Sequence, residues 1–312
     1  MTIGLPRALL YYRYGELWER FFCELGCDIT ISGETNKKIM DDGIKYSIDE
    51  CCLPAKIYMG HVYSLIGKCD YILVPRIDNY GRDNQVCVKF NALYDIVRNT
   101  FEQAELIDYN IDAIRGAGEL KGFLSMGRMI GKKTPQSLSA FIKAKRFSAE
   151  QARMSSHRQQ QEMEQSGKPK ILIVAHNYNT HDRMLGQPVI SAIKSMGGIP
   201  VCADAADKKL CAKSSGRISD SLYWLYNKEL VGAVGIFKDR VDGIILLSAF
   251  PCGPDSLVNE LLIRKIRDIP IINIVLDELN SGTGLQTRLE SFMEIITMQN
   301  AELRMQNENQ CM

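Results

Sequence analysis

The sequence predicts an α/β fold of two doubly wound parallel-sheet domains, Rossmann-like or flavodoxin-like, joined by a helical section. Two segments alternate between short apolar runs and longer stretches with apolar residues at helical spacing. Such alternation is typical of parallel strands covered by helices on both faces. The stretch between them is helical in pattern throughout. We therefore expect domains at residues 1–114 and 167–312, with a helical connection at 115–166.

The first domain is expected to contain four strands. It begins with the apolar run TIGLP and a helix-like stretch that ends at Gly26. The next strand and helix are predicted in CDITIS and PAKIYMGHVYSLIG. The continuous apolar run CDYILVPRI is typical of a strand buried on both faces. The loop DNYGRDNQVCVKF, the helix-like NALYDIVRNTFEQ and the weaker strand AELIDYNID complete the domain.

The connection and the second domain follow the same logic. KAKRFSAEQARMSSHRQQQEMEQSG is polar and rich in helix formers, so we expect a long solvated helix; a coiled coil is the alternative, but sustained apolar heptads are lacking. Four strands are expected in KPKILIVAH, GIPVCAD, VDGIILLSAF and IPIINIVLDE. Helices are expected at about 183–197, within SDSLYWLYNKELVGAVGIFKD, within SLVNELLIRKIRD, and from about residue 287.

Composition narrows the function classes. The formal net charge is +1, so no strong electrostatic argument favours nucleic acid or an anionic membrane as a partner. No stretch approaches the roughly 20 apolar residues that span a bilayer, and no signal peptide is evident. We therefore expect a cytoplasmic protein. Its 10 cysteines are then reduced, and clustered cysteines favour metal binding or catalysis.

Three cysteines lie where ligands gather in open α/β sheets, at loops that lead into helix N-termini. Cys52 precedes Pro54, where a helix is expected to begin, and Pro fits a first helical turn. Cys87 lies in the loop after a buried strand. Cys252 lies in SAFPCGPDSL, between a strand and a helix. Helix N-termini carry partial positive charge, which stabilises thiolates. The remaining candidates for small buried hydrophobic residues are Cys23, Cys27, Cys69 and Cys202.

The spacing of these three thiols leaves several interpretations open. They can ligate zinc or an iron–sulfur cluster, but the paired C-x2-4-C knuckles of structural zinc sites and a local ferredoxin run are both absent. Widely spaced single cysteines suit a cluster held between domains. Unrelated loop cysteines are the alternative. Cys51 is either a bystander beside Cys52 or an additional ligand.

A polar loop follows the first strand of the second domain. His176 begins HNYNTHD, directly after KILIVA, and Tyr178 lies in the same loop. At the carboxyl end of a strand, His176 is a candidate proton donor, or a hydrogen-bond donor to cluster sulfur, and Tyr178 a second catalytic candidate. His61, on the helix after Cys52, is more simply explained as a packed side chain.

A set of motifs in one order carries a resemblance to a known family. The motifs are IGLPRALLYYRYGELWERFF, CLPAKIYMGHV, YILVPRI, CVKFNAL, CGPDSLVNELL and DELNSGTGLQTRLESF. Their order resembles the 2-hydroxyacyl-CoA dehydratase superfamily, in particular a stand-alone branch related to dehydratase subunits and the double-cubane cluster protein. The resemblance covers nearly the whole chain apart from the helical section.

The resemblance implies a cofactor, a partner and a reaction. Dehydratase subunits bind a [4Fe–4S] cluster through three cysteines, and double-cubane relatives bind a larger cluster and reduce small molecules. By motif, Cys52, Cys87 and Cys252 match the ligands. Electrons come from a separate ATP-hydrolysing iron–sulfur activase. The chain itself has no G-x-x-x-x-G-K-[ST] loop, which agrees with a separate ATP-using partner.

We therefore expect an iron–sulfur protein of anaerobic metabolism, either a dehydratase-like lyase or an ATP-dependent reductase component. Its substrate is a small molecule or a 2-hydroxyacyl-CoA thioester, and a homodimer is the expected assembly. A non-catalytic electron carrier or cluster-assembly module is the alternative. Two departures leave the ligand count and the reaction type open. They are Cys51 at a position where relatives often carry another residue, and DELNSGTG, where many relatives have a histidine after DE.

Overall fold

The computed structural model describes residues 1–165, 167–278 and 282–310 of the chain. By internal packing these residues divide into two units. The first is Met1–Met154 together with Leu222–Tyr226. The second comprises the described residues of Ser155–Ser221 and Asn227–Met312. A short segment from the C-terminal half of the chain therefore belongs to the first unit.

The first unit is built on a four-stranded parallel sheet in the order β2-β1-β3-β4. The apolar run CDYILVPRI forms most of β3, and this strand is buried along most of its length, as expected for a strand covered on both faces. The strands are β1 (Thr2–Leu5), β2 (Asp28–Ile31), β3 (Tyr71–Asn79) and β4 (Leu106–Asp112). The helices up to the end of the connecting section are α1 (Tyr11–Glu24), α2 (Lys37–Lys45), α3 (Leu53–Leu65), α4 (Val88–Thr100), α5 (Glu119–Met129) and α6 (Thr134–Met163).

The second unit repeats the arrangement with the strand order β6-β5-β7-β8, again all parallel. All seven residues of the central strand β7 are buried. The strands are β5 (Lys170–Val174), β6 (Ile199–Cys202), β7 (Gly243–Ala249) and β8 (Ile271–Leu276). The helices are α7 (Asn177–Thr180), α8 (Gly186–Ser195), α9 (Lys208–Ser214), α10 (Leu225–Phe237), α11 (Gly253–Lys265) and α12 (Gly282–Gln310).

The predicted fold class is confirmed, since both units are parallel sheets flanked by helices. Each of the eight predicted strands is present. Three short helices escaped the sequence analysis, namely α2, α7 and α9, and the last helix begins at Gly282 rather than near residue 287. None of the described helices combines the length and the apolar character needed to cross a bilayer.

Helices α2 and α3 cross at two glycines. A Cβ atom on Gly60 would lie 1.9 Å from the Ile39 carbonyl oxygen, and one on Gly43 would lie 2.0 Å from the Lys56 carbonyl oxygen. The two backbones therefore touch directly, which only glycine allows. Because α3 begins next to Cys52, this crossing fixes the position of that residue.

A glutamine side chain completes the edge of the second sheet. Strand β6 is an edge strand. The Gln159 amide, from α6, accepts from the Cys202 backbone N–H at 2.8 Å and donates to its carbonyl oxygen at 3.1 Å. The amide thus imitates a neighbouring strand, and it satisfies backbone groups that an open edge would leave exposed to other chains.

We expect Gly60→Ala to lower the free energy of unfolding by about 1–3 kcal/mol, because the added methyl group must separate two helix backbones. Chemical denaturation measures this change. Gly33→Ala is the matched control, since a Cβ atom there meets nothing within 4 Å. Equal stability losses in the two variants would contradict the close approach of α2 and α3.

Candidate functional site

The strand orders define where ligands are expected. In each sheet the order reverses direction after its first strand, so the topological switch points lie between β1 and β3 and between β5 and β7. Ligands of open α/β sheets bind outside the carboxyl ends of the strands at such points. Three predicted site residues lie in the segments between these strands and the next helices. Cys87 comes after β3, His176 after β5, and Cys252 after β7.

The three predicted cysteine ligands share one local geometry. Cys52, Cys87 and Cys252 are the N-cap residues of α3, α4 and α11 respectively. In each case the cysteine carbonyl accepts the first hydrogen bond of the helix, from Ala55, Phe90 and Ser256. All three side chains are partly buried. The thiols thus lie beside backbone N–H groups that favour negative charge.

In the first unit, Cys52 and Cys87 lie close enough to interact electrostatically. Burial raises the pKa of the Cys52 thiol to about 11, and the neighbouring Cys87 and Cys51 add to this effect. The Ala55 N–H and the Lys89 ammonium group oppose it. Without a metal ion the Cys52 thiol is therefore protonated at neutral pH.

Cys51 is 6% exposed, and its sulfur accepts a hydrogen bond from the Lys89 Nζ atom at 3.5 Å. A third thiol, Cys51, and one cation, Lys89, therefore accompany Cys52 and Cys87 at this sheet edge. Both alternatives for Cys51 stay open. Its position next to Cys52 suits an additional ligand, and its hydrogen bond with Lys89 suits a bystander.

A network of amides and carboxylates holds the loop that leads to Cys87. The Asn91 amide, on α4, donates to Asp78 at the end of β3 at 3.0 Å. The Asn79 amide donates to both Asp78 and Asp112, at 2.9 and 2.8 Å. The beginning of α4 is thereby tied to the ends of two adjacent strands, which fixes the position of the Cys87 cap.

Aromatic residues that the sequence analysis did not select surround the same edge. Tyr80 hydrogen-bonds through its hydroxyl group to Tyr14 and, at 3.2 Å, to Tyr226. The Arg13 guanidinium group lies 4.4 Å from the centre of the Tyr226 ring. Burial raises the pKa of Tyr80 and Tyr226 well above the ordinary value, so both hydroxyl groups stay protonated.

Tyr226 reaches this cluster through a segment distant in sequence. The Gln85 backbone N–H donates to the Tyr223 carbonyl at 3.0 Å, and the Leu225 N–H donates to the Gln85 carbonyl at 2.8 Å. Residues 222–226 therefore run alongside the loop that precedes Cys87. No local pattern in the sequence indicates this pairing.

In the second unit the structure places His176 in a buried hydrogen-bonded group. Its Nε2 atom lies 2.9 Å from the Asp255 Oδ1 atom, and the Asn227 amide donates to the same oxygen at 2.9 Å. The Tyr178 ring stacks on the imidazole with centroids 5.0 Å apart. His176 and Tyr178, both predicted as site residues, are thus brought together with a carboxylate that the sequence analysis missed.

Asp255 is ionised despite its burial. Burial by itself would raise its pKa, but His176, Asn227 and a hydrogen bond from the Cys252 side chain together lower the pKa below the ordinary value. The carboxylate therefore fixes the imidazole orientation through its contact with the Nε2 atom. It also connects His176 to Cys252, because both interact with the same side chain.

A second carboxylate, that of Asp204, contacts the opposite side of α7. The Asp204 Oδ2 atom accepts from the Asn177 amide at 3.0 Å and lies 2.7 Å from the His181 Nε2 atom. Burial disfavours the charged form of His181, but the charge and hydrogen bond of Asp204 outweigh it and raise the pKa of His181. One short helix therefore carries two histidine–aspartate pairs, one toward Asp255 and one toward Asp204.

Asp255 could have been found from the periodicity of α11. The buried residues of this helix are Asp255, Val258, Asn259 and Leu262, at helical positions i, i+3, i+4 and i+7. An aspartate in the buried phase of a helix needs polar partners. Asn259 has the same character, and its amide donates to Asn273 at 3.1 Å.

The other candidates behave mostly as structural residues. Cys27 is buried, as expected, and so is Cys211, whereas Cys23 is exposed because it faces solvent on α1; Cys69 and Cys202 are partly buried. His61 is fully buried, and its two ring nitrogens contact Ser32 and Thr35 hydroxyl groups at 2.8 and 2.9 Å. Burial lowers its pKa to about 3, so it is a neutral packed side chain.

As the structure stands, no three His, Cys, Asp or Glu side chains of the described residues are gathered to hold a metal ion. Cys52 and Cys87 belong to the first unit, and Cys252 belongs to the second. The donor chemistry nevertheless suits an iron–sulfur cluster, because the thiols are partly buried and lie next to helix N–H groups. The cluster itself stays a prediction.

The fold and these residues define a class: α/β proteins with two Rossmann-like units that carry thiol and imidazole groups at their strand ends. A protein-family profile narrows this class. The family described as "CoA enzyme activase uncharacterised domain (DUF2229)" matches residues 2–205. This is well over half of the chain, and the protein belongs to that family. The match is consistent with the predicted relation to the 2-hydroxyacyl-CoA dehydratase superfamily without specifying a branch.

Other comparisons add little. No curated protein sequence matches the chain. A solved structure of the SBP FpvC from P. aeruginosa in complex with Ni2+ is 10% identical, with a TM-score of 0.29 over 95% of this chain and 96% of its own. A crystal structure of ZnuA is 6% identical, with a TM-score of 0.29 over 94% of this chain and 98% of its own.

We expect Asp255→Asn to lower the free energy of unfolding at pH 7 by about 1–3 kcal/mol, because His176 and Asn227 lose an anionic acceptor. The pKa of Asp255 is lower in the folded than in the unfolded state. Its contribution is therefore present above the unfolded pKa and is lost as the pH falls through the folded one. Urea denaturation at several pH values should show the variant and the wild type converging below about pH 4.

Asp268→Asn provides the control for this experiment. Asp268 pairs on the surface with Lys238, an interaction that contributes little to stability in water. A stability difference for Asp255→Asn that is no larger than that of the control, or that grows in acid, would show that Asp255 is not held as an ionised acceptor.

Proposed function

We propose that the protein binds an iron–sulfur cluster, [4Fe–4S] or a larger double-cubane type, through Cys52, Cys87 and Cys252. An ATP-hydrolysing iron–sulfur activase would supply its electrons. The reaction would be reductive or radical chemistry on a small molecule or a 2-hydroxyacyl-CoA thioester. Membership of a family named for CoA enzyme activase supports a role in this type of system.

One observation carries the proposal. The three cysteines matched by motif are all N-cap residues at the carboxyl edge of a parallel sheet. Cys87 and Cys252 follow strands at the topological switch points. In these positions backbone N–H groups offset the negative charge of thiolates and cluster sulfides. Cysteines that served only as small hydrophobic residues would have no reason to share this position.

The protonation state of the thiols agrees with a role as ligands. Burial keeps the metal-free Cys52 thiol protonated, so iron must displace this proton when it binds. The Lys89 cation and the Ala55 N–H, which both favour the Cys52 thiolate, assist that step. When bound by the three cysteines, a cluster would pass on the electron from the activase and would act as a Lewis acid toward a substrate oxygen.

The imidazole group of His176 would handle protons beside the ligands. Asp255 holds the ring by its Nε2 atom, and Tyr178 limits its rotation by stacking. This pair can deliver a proton to a leaving hydroxyl group or to a reduced product. The shared contact with Asp255 couples its position to that of Cys252.

A non-catalytic electron carrier or cluster-assembly module is the second candidate. The location of Cys51 favours it, because this buried thiol is adjacent to Cys52 and can act as a fourth ligand. Four thiolates would close the cluster to substrate. Electron paramagnetic resonance with added cyanide distinguishes the candidates, since only a cluster with an open iron changes its spectrum.

We expect the alanine variants of Cys52, Cys87 and Cys252, made one at a time, to lose most of their iron after anaerobic reconstitution. Each removes one of the three ligands on which the cluster depends. Iron and acid-labile sulfide are counted per chain. Cys51→Ser should keep about four irons per chain if Cys51 is a bystander.

Cys27→Ala and Cys211→Ala are the matched controls, because both residues are buried and lie away from the predicted ligands in sequence. Each should cost some stability through a small cavity and leave the iron content unchanged. The proposal fails if reconstituted wild type binds no iron and sulfide, or if the controls lose as much iron as the three ligand variants.

A further inference from the structure

Among the described residues, neither end of the Asn179 amide group has a hydrogen-bond partner. The residue is 1% exposed, and both its Oδ1 and its Nδ2 atom are shielded from solvent. Buried polar side chains are nearly always paired, because an unpaired group loses its water without compensation. A buried amide without hydrogen-bond partners therefore indicates a ligand that supplies those partners when it binds.

The geometry of α7 shows which way this amide faces. His176 is the N-cap of the helix, and Asn179 is its third residue. Side chains at these two positions lie on the same side of a helix start, as in a capping box. Asn177 and His181 lie on the other side and contact Asp204. Asn179 therefore belongs to the side that carries His176 and Asp255.

The chemistry of the amide defines its ligand. A carboxamide offers one acceptor and two donors next to each other. The hydroxyl group and the carbonyl oxygen of a 2-hydroxyacyl group, on adjacent carbons, match this pair. The Asp255 carboxylate, on the same side of α7, disfavours an anion, so a neutral thioester fits and the free 2-hydroxy acid does not.

We propose that Asn179 is a specificity-determining residue that recognises the hydroxyl and carbonyl groups of a 2-hydroxyacyl thioester. This inference rests on the proposed function for its substrate class. The Asn179 amide would thereby discriminate between a 2-hydroxyacyl group and its deoxy analogue. The cysteine motifs contain no group that makes this distinction.

The first test measures the stability of the protein without substrate. Asn179→Leu replaces an unpaired buried amide by an apolar group of similar size, so its melting temperature should rise. Asn227→Leu is the matched control, because the Asn227 amide is equally buried but donates to Asp255, and its melting temperature should fall. A fall for Asn179→Leu similar to that of Asn227→Leu would overturn the inference, because Asn179 would then be a structural group.

The second test measures thermal shifts with three probes: the lactoyl and propionyl thioesters of N-acetylcysteamine, and lactate. The wild type should be stabilised most by the lactoyl thioester. Asn179→Leu should lose the difference between the two thioesters, and Asn179→Ala serves the same purpose if leucine does not fit. Retention of that difference in both variants would overturn the role of Asn179 and leave the proposed function standing. No shift of the wild type with either thioester would overturn the proposed substrate class and this inference with it.

Discussion

The parallel arrangement of the strands is the constraint on which the chemistry of this chain depends. All strands of a parallel sheet have their carboxyl ends at the same edge, so the residues that begin the following helices lie close together there. In the first unit this brings Cys87 and the N-cap Cys52 to one edge, and in the second it brings His176 and Cys252 to another. Side chains far apart in sequence thus become neighbours without any local motif.

The two units hold their polar groups in different ways. In the first, backbone contact between α2 and α3 and the amide network of Asn79 position the cysteine caps. In the second, the buried Asp255 carboxylate and the half-buried Asp204 carboxylate bind the two sides of one short helix. Buried charges and unpaired amides reduce stability unless they find partners. Two carboxylates, Asp255 and Asp204, and the Asn179 amide, unpaired among the described residues, lie around α7, which indicates a functional rather than a packing role for this region.

The sequence was sufficient for the sheets and for the positions of the three cysteines. Long apolar runs such as β3 and β7, alternating with helical patterns, indicate buried parallel strands, and Pro54 and Pro254 mark the helix starts beside Cys52 and Cys252. Other features left no local signal. Helix α2 is short and contains Gly43, and Tyr226 joins the first unit through a long-range pairing. These depend on contacts that only the folded chain defines.

The most direct test of the account is the position of iron in crystals of the anaerobically reconstituted protein. Anomalous difference maps at the iron absorption edge locate the metal independently of any sequence argument. The account predicts a compact group of iron peaks bound by the sulfur atoms of Cys52, Cys87 and Cys252. Iron peaks bound elsewhere, or a cluster that leaves out any of these three sulfur atoms, would contradict it.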